Sequence, residues 1–233
     1  MQTAPKAQAR ITGALYLVIM ASALFTEMAV RGALIVGGDA AATAHNILAA
    51  EPLFRLGGGL DVLTYLCDVV VAALLYGLTK PAGKSLALVA AFLRLAYSAV
   101  AIVLCVFHFG ALSVLHGAGL SALSQDQLHA LAFSLLKLRS TGFVVALILF
   151  GAHLLALGLL LIRSRYLPGW IGALLMLAGV GYIANSAADL LLPTLDLGPW
   201  LLLPGLVGEG ALTLWLLIIG LNAAKWNERV SAA

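Results

Sequence analysis

Apolar residues in this chain come in long unbroken blocks rather than in alternation with polar ones. Six blocks, at 11–30, 57–78, 86–108, 140–162, 169–192 and 200–221, each hold about 20 or more residues. A helix needs ~20 to cross a hydrocarbon core of ~30 Å. Turn formers stand between blocks, among them Lys80-Pro81-Ala82-Gly83-Lys84 and Tyr166-Leu167-Pro168-Gly169. The pattern predicts an all-α polytopic membrane protein, a single transmembrane domain over 1–233 with six transmembrane helices.

The first block admits a second reading. Lys6 and Arg10 precede it, and Ala21-Ser22-Ala23 within it resembles a signal-peptide cleavage site. The block stays apolar beyond that tripeptide, and an odd number of remaining helices would fit the charges worse. A retained first helix is therefore expected.

Two longer joints carry patterns of their own. The stretch DAAATAHNILAAEPLFR, 39–55, predicts a short amphipathic helix on the outer membrane surface. Asp39 would cap it, Ile47 and Leu48 would share its apolar side, and Pro52 would break it. The second joint starts at Ser124, which forms a capping box with Gln127. His129, Leu131 and Phe133 then mark an interfacial extension of the fourth helix. Small residues at Gly169, Gly172 and Ala173, and at Gly205, Gly208, Gly210 and Ala211, have the spacing that lets helices approach closely in lipid. The tetrapeptides Arg10-Ile11-Thr12-Gly13 and Arg139-Ser140-Thr141-Gly142 precede the first and fourth helices, too short a match to carry an inverted repeat.

Composition agrees with the pattern. The 233 residues are 63% hydrophobic and only 10% charged, against roughly 25% charged in soluble domains, and the mean hydropathy is +1.07. The net charge of +3 sits in basic pairs between apolar blocks rather than on a polar face, which excludes nucleic acid as a partner. Eight basic residues (Lys6, Arg10, Lys80, Lys84, Arg163, Arg165, Lys225 and Arg229) fall on one side. Arg31, Arg55, Lys137 and Arg139 fall in the longer joints of the other. The positive-inside rule then places both termini in the cytoplasm of a multi-pass protein of the inner or plasma membrane. Cys67 and Cys105 lie in apolar blocks, ~12 Å apart in depth at 1.5 Å per residue, too far for a disulfide.

Ionisable groups inside spans are expensive and usually face the bundle interior or a wet cavity. Counted from one end of each helix, Asp68 (~15 Å), Arg94 (~12 Å), His153 (~14 Å) and Glu209 (~18 Å) share one layer. The short joint between the second and third helices makes them antiparallel neighbours and Asp68–Arg94 a natural ion pair. Glu27, Asp61, His108, Asn185 and Asp189 form a second layer nearer the outer surface, with Tyr182 on the face of Asn185 and Asp189. Arg94, Tyr97, Cys105 and His108 follow one stripe of the third helix. The layers predict a polar cleft that opens outward and closes near the middle. The alternative is a set of buried pairs that only fix helix register.

Other chemistries find less support. His108, Asp61 and Asp189 lack any recognised metal-ligand spacing. The estimated depths of His108 and His153 differ by ~20 Å, too far to clasp one haem. Ser140, at a helix end, has no histidine in the last two helices for intramembrane proteolysis, and no phosphate-binding glycine loop occurs.

The segments RITGALYLV, GDAAATAHNILAAEPLFRLG, CDVVVAALLYGLTKP, LALVAAFLRL, FGAHLLALGLLL and LPGWIGALLMLAGVGYIANS, in this order from about Arg10 to Leu221, resemble the prokaryotic membrane-protein family called domain of unknown function 4386. The resemblance implies a six-helix integral membrane protein and brings no activity, substrate or cofactor. It implies characteristic residues at Glu27, Arg31, Asp39, Arg55, Asp61, Asp68, Arg94 and His153. Arg139 stands where histidine is usual and Asn185 where aspartate is usual, against any scheme needing an imidazole or a carboxylate there.

Three functional expectations follow, in order. In the first, Asp61, Asp68, Arg94, His108, His153, Asn185, Asp189 and Glu209 line an outward-facing cleft that binds or moves a small polar molecule, an ion or a lipid headgroup, as a transporter, channel-like protein or receptor would. In the second, the protein is a scaffold or partner subunit with a structural polar core. In the third it is an acid–base enzyme with His108 or His153 as base, oriented by Asp61 or Asp189. The bilayer is the expected partner; ligand identity and oligomeric state stay open.

Overall fold

The structure is a computed structural model that describes residues 5–192, 194, 195, 197 and 199–231. The described residues form helices and no strand. Six helices are long and apolar enough to cross a membrane: Pro5–Leu34, Glu51–Ala82, Lys84–Leu115, Gln125–Ser164, Gly169–Leu191 and Trp200–Ile219, numbered first to sixth span below. Phe92, Val103, Val106, Leu177, Val207 and Ile218 are each more than half exposed. An apolar surface of this kind suits acyl chains, not water.

The chain divides into two compact units. One gathers Met1–Val18, Cys67–Ser98 and Val144–Ala233; the other gathers Ile19–Leu66 and Ala99–Phe143.

In the second unit the helices outrun the apolar blocks. The fourth span starts at Gln125, because Ser124 N–H donates to Gln127 Oε1 at 2.8 Å and Gln127 N–H to Ser124 Oγ at 3.4 Å. That reciprocal cap satisfies donors that the first helical turn leaves orphaned. Leu128, Ala132 and Leu136 follow at four-residue spacing, and a core cluster joins Ala132 and Leu136 to Val30, Leu34, Ile47, Phe54 and Leu112. The Ala40–Ala49 helix forms under its Asp39 cap, whose Oδ1 accepts the Ala42 N–H at 2.8 Å. Pro52 stands in the first turn of the next helix, where a missing N–H is tolerated. Ile47 and Leu48 do not share a side: Ile47 is buried in the cluster and Leu48 is exposed. Neighbouring residues on a helix diverge by about 100°, so a single face cannot hold both.

In the first unit, close packing is set by glycine. A Cβ on Gly151 would lie 2.7 Å from the Gly179 carbonyl oxygen, and one on Gly179 would lie 2.6 Å from that of Gly151. Gly158 and Gly172 oppose each other's carbonyls in the same way, seven residues along each helix. The fourth and fifth spans thus touch backbone to backbone. Lipid tails are as apolar as leucine, so packing of this kind, not water exclusion, joins spans. Gly13 likewise admits the Leu217 backbone, within the π-helical turn Trp215–Ile219. Outside the spans, the buried Tyr166 hydroxyl donates to the Leu78 carbonyl at 2.8 Å, and burial raises its phenol pKa above the ordinary range.

Candidate functional site

Each unit encloses a charged centre. The centre of the first unit is built on Arg94, which is 0% exposed. Its Nε donates to Asp68 Oδ1 at 3.0 Å and its Nη2 donates to the same oxygen. Its Nη1 serves the Tyr16 hydroxyl and lies 3.2 Å from His153 Nε2. Every nitrogen of the guanidinium has a partner. The Tyr16 ring stacks under the charge, 4.5 Å from centroid to Cζ, and the Phe150 ring stands at 5.4 Å, both within cation–π range. Ser98 donates to Asp68 Oδ2 at 3.4 Å. First, second, third and fourth spans each contribute, through Tyr16, Asp68, Arg94 and His153.

The partners of His153 fix its chemistry. Nδ1 lies 2.8 Å from the Ala90 carbonyl oxygen, which only accepts, so Nδ1 carries the proton. Nε2 faces a guanidinium, which only donates, so its lone pair is already engaged. A histidine held like this is neutral and has no site left to take a substrate proton. Glu209 stands beside the network without a hydrogen bond to Arg94; its Oε1 accepts from the Tyr182 hydroxyl at 3.0 Å.

The centre of the second unit turns on Asp61, buried on the second span. Its Oδ2 accepts from Arg31 Nη1 at 2.9 Å and from Arg139 Nη2 at 2.6 Å. The sequence reading placed both arginines in polar joints, whereas the structure places both inside spans. Arg31 ends a π-helical stretch, Thr26–Arg31, set within the first span. A π turn shifts the register of one face and is frequent at functional sites. It brings Thr26 Oγ1 within 3.0 Å of Arg31 Nη2, while Glu27 Oε2 accepts from Arg31 Nε at 2.6 Å. The Glu27 side chain is 69% exposed, so the chain of charges reaches the surface there.

This centre is not saturated. Arg139 is 7% exposed, and its buried Nε has no hydrogen-bond partner among the described residues. Thr64, on the helical face of Asp61, also keeps a buried hydroxyl without a partner among them. One buried carboxylate faces two guanidiniums, and the second acid, Glu27, is at the surface.

The remaining expected site residues make no hydrogen bond to Asp61. His108 Nε2 donates to the Phe54 carbonyl at 2.9 Å, and the two rings stack at 3.8 Å and 9°. Gly58 makes room for it, since a Cβ there would lie 2.7 Å from His108 Cδ2. Asn185 donates to Asp189 Oδ2 at 3.3 Å on the fifth span, in the first unit. Neither histidine is oriented by a carboxylate: backbone carbonyls do that work, and arginines occupy Asp61. Among the described residues no three His, Cys, Asp or Glu side chains are grouped to hold a metal. Cys67 and Cys105 are free thiols.

The candidate core read from the sequence left out Tyr16, Arg31 and Arg139, although the resemblance marked Arg31 as characteristic. Tyr16 gave no signal in an apolar block. Arg139 gave one, since no proline separates it from the Ser124 cap or from the apolar block that follows.

Comparison with known proteins adds identity without chemistry. The family model described as Domain of unknown function (DUF4386) matches residues 11–220. An uncharacterised protein of Archaeoglobus fulgidus is 30% identical over 169 residues, 72% of this chain and 85% of that protein. No solved structure matches.

Proposed function

The chain belongs to the family Domain of unknown function (DUF4386), and from that premise we propose that it is a multi-pass membrane protein that binds a small anionic molecule at the Asp61 centre. The observation that carries this reading is the buried, unpartnered Nε of Arg139 beside a carboxylate already shared by two guanidiniums. A buried donor without an acceptor costs about 1–3 kcal/mol. An incoming carboxylate or phosphate oxygen would relieve that cost and balance the extra positive charge. The Thr64 hydroxyl supplies a further donor on the same face.

The centre would face away from the cytoplasm. With Arg31 and Arg139 paired inside the protein, only Arg55 and Lys137 count as basic residues on that side, against eight on the side of the termini. The positive-inside asymmetry is sharper for it. The Arg94 centre plays a structural part in this reading: it is closed, neutral in sum and satisfied at every guanidinium nitrogen. That same saturation favours the scaffold reading for the first unit. The enzyme reading draws less support: neither His108 nor His153 bonds to the orienting carboxylate it expected, and both ring nitrogens of His153 are engaged.

The test is melting of the detergent-solubilised protein with sulfate, phosphate and a series of small carboxylates. At least one anion is expected to raise the melting temperature, Arg139→Gln to remove the rise, and the Asp68→Leu/Arg94→Leu double variant to retain it. If no anion shifts the parent, or Arg139→Gln responds as the parent does, the reading fails.

A further inference from the structure

A cavity of about 310 Å³ in the second unit is lined by Arg55, Phe109, Leu112, Ser113, His116 and Ala118, none of them in either charged centre. Its walls divide by polarity. Phe109 and Leu112 form an apolar side; Arg55, Ser113 and His116 form a polar one. Arg55 lies in the second turn of the helix that starts at Glu51, and His116 directly follows the helix that ends at Leu115. Both therefore stand at span ends, the depth at which hydrocarbon gives way to headgroups. Their side chains are 55% and 47% exposed.

A carboxylate of the chain itself now uses these donors. Glu51 Oε1 accepts from Arg55 Nε at 2.6 Å, and Glu51 Oε2 lies 3.0 Å from His116 Nε2. The two Nη groups of Arg55 make no hydrogen bond to a described residue. The apolar wall is fixed by glycine: a Cβ on Gly58 would lie 2.6 Å from Phe109 Cζ, so its absence lets the ring sit against the second span. Leu112 is buried beneath.

We propose that this cavity seats the phosphate of an anionic phospholipid. The Arg55 Nη pair and the Ser113 hydroxyl would hold the phosphate oxygens, and Phe109 and Leu112 would carry the first carbons of the lipid. Arginine's planar fork matches phosphate in two-point contact. Glu51 is then an internal competitor, a negative charge that holds Arg55 and His116 when lipid is absent. A zwitterionic lipid brings its own ammonium group and gains less from Arg55. The inference is independent of the Asp61 centre, since no residue is common to both.

Native mass spectrometry of the full chain, with phosphatidylglycerol or phosphatidylcholine titrated into the detergent and inorganic phosphate in a parallel melting series, tests this. Phosphatidylglycerol is expected to bind about tenfold more tightly than phosphatidylcholine, with Arg55→Gln removing the preference. Glu51→Gln is expected to tighten phosphatidylglycerol binding several-fold, an outcome that a merely structural Glu51–Arg55 pair would not give. Arg55 is largely exposed, and the melting temperature of Arg55→Gln without lipid checks that it folds. The Arg139→Gln protein should keep the preference, which separates this site from the Asp61 centre. Equal binding of the two lipids, an unchanged preference in Arg55→Gln, or weaker binding in Glu51→Gln would overturn the proposal. Stabilisation by inorganic phosphate as large as by phosphatidylglycerol would overturn the lipid and assign the site to free phosphate.

Discussion

The two charged centres use the same ingredients to opposite ends. Around Arg94, one guanidinium meets one carboxylate, a hydroxyl and a neutral imidazole, under two aromatic rings, and nothing is left over. Around Asp61, two guanidiniums divide one buried carboxylate and a buried N–H has no acceptor. A buried charge is tolerated when its hydrogen bonds close within the protein. The Arg94 centre meets that condition alone; the Asp61 centre meets it fully only with a further acceptor. The difference teaches that charge count inside a span is a poor guide to function. Stoichiometry of donors to acceptors is a better one.

The comparison breaks first, if it breaks, at Arg94. Asp68→Ala and Arg94→Ala should each lose about 3–5 kcal/mol in unfolding measured in micelles, because each leaves a lone buried charge. Asp68→Leu with Arg94→Leu should recover most of that loss; a double variant as unstable as the singles would falsify the structural role of the Arg94 centre. Next comes the glycine contact on the span that carries His153. Gly151→Leu should cost about 1–3 kcal/mol by overpacking against the Gly179 backbone, read as a lower melting temperature, whereas Gly59→Ala, where a Cβ meets nothing within 4 Å, should be harmless.

Arg139→Gln should be milder than either Arg94 variant, about 1–2 kcal/mol in micelles, since Arg31 remains on Asp61. A loss equal to that of Arg94→Ala would erase the distinction between the centres. Tyr166→Phe should show the smallest effect, about 1 kcal/mol for one buried hydrogen bond to a carbonyl. It also calibrates what a polar contact outside both centres contributes to melting.

Much of this was legible in the chain. Block length set the six spans, Asp39 and the Ser124–Gln127 pair set two helix starts, and the short Lys80–Lys84 joint set Asp68 against Arg94. What hid was anything decided by backbone. Both key histidines bond to main-chain carbonyls, which carry no sequence label. Arg31 and Arg139 looked like joint residues because the apolar blocks stop near them, yet the helices run on. The π turn at Thr26–Arg31 and the opposed glycines at 151, 158, 172 and 179 depend on partners far along the chain, so spacing within one helix did not reveal them.

Those four glycines have a consequence of their own. Sliding the fifth span by one turn against the fourth would bring Ile183 or Leu175 opposite Gly151, where no side chain fits. The hairpin between them therefore resists a one-turn slip and acts as a ruler. Tyr182, three positions beyond Gly179, is delivered at one height beside the fourth span, so the point at which its ring meets Phe150, 5.9 Å between centroids, is dictated by atoms that glycine does not have.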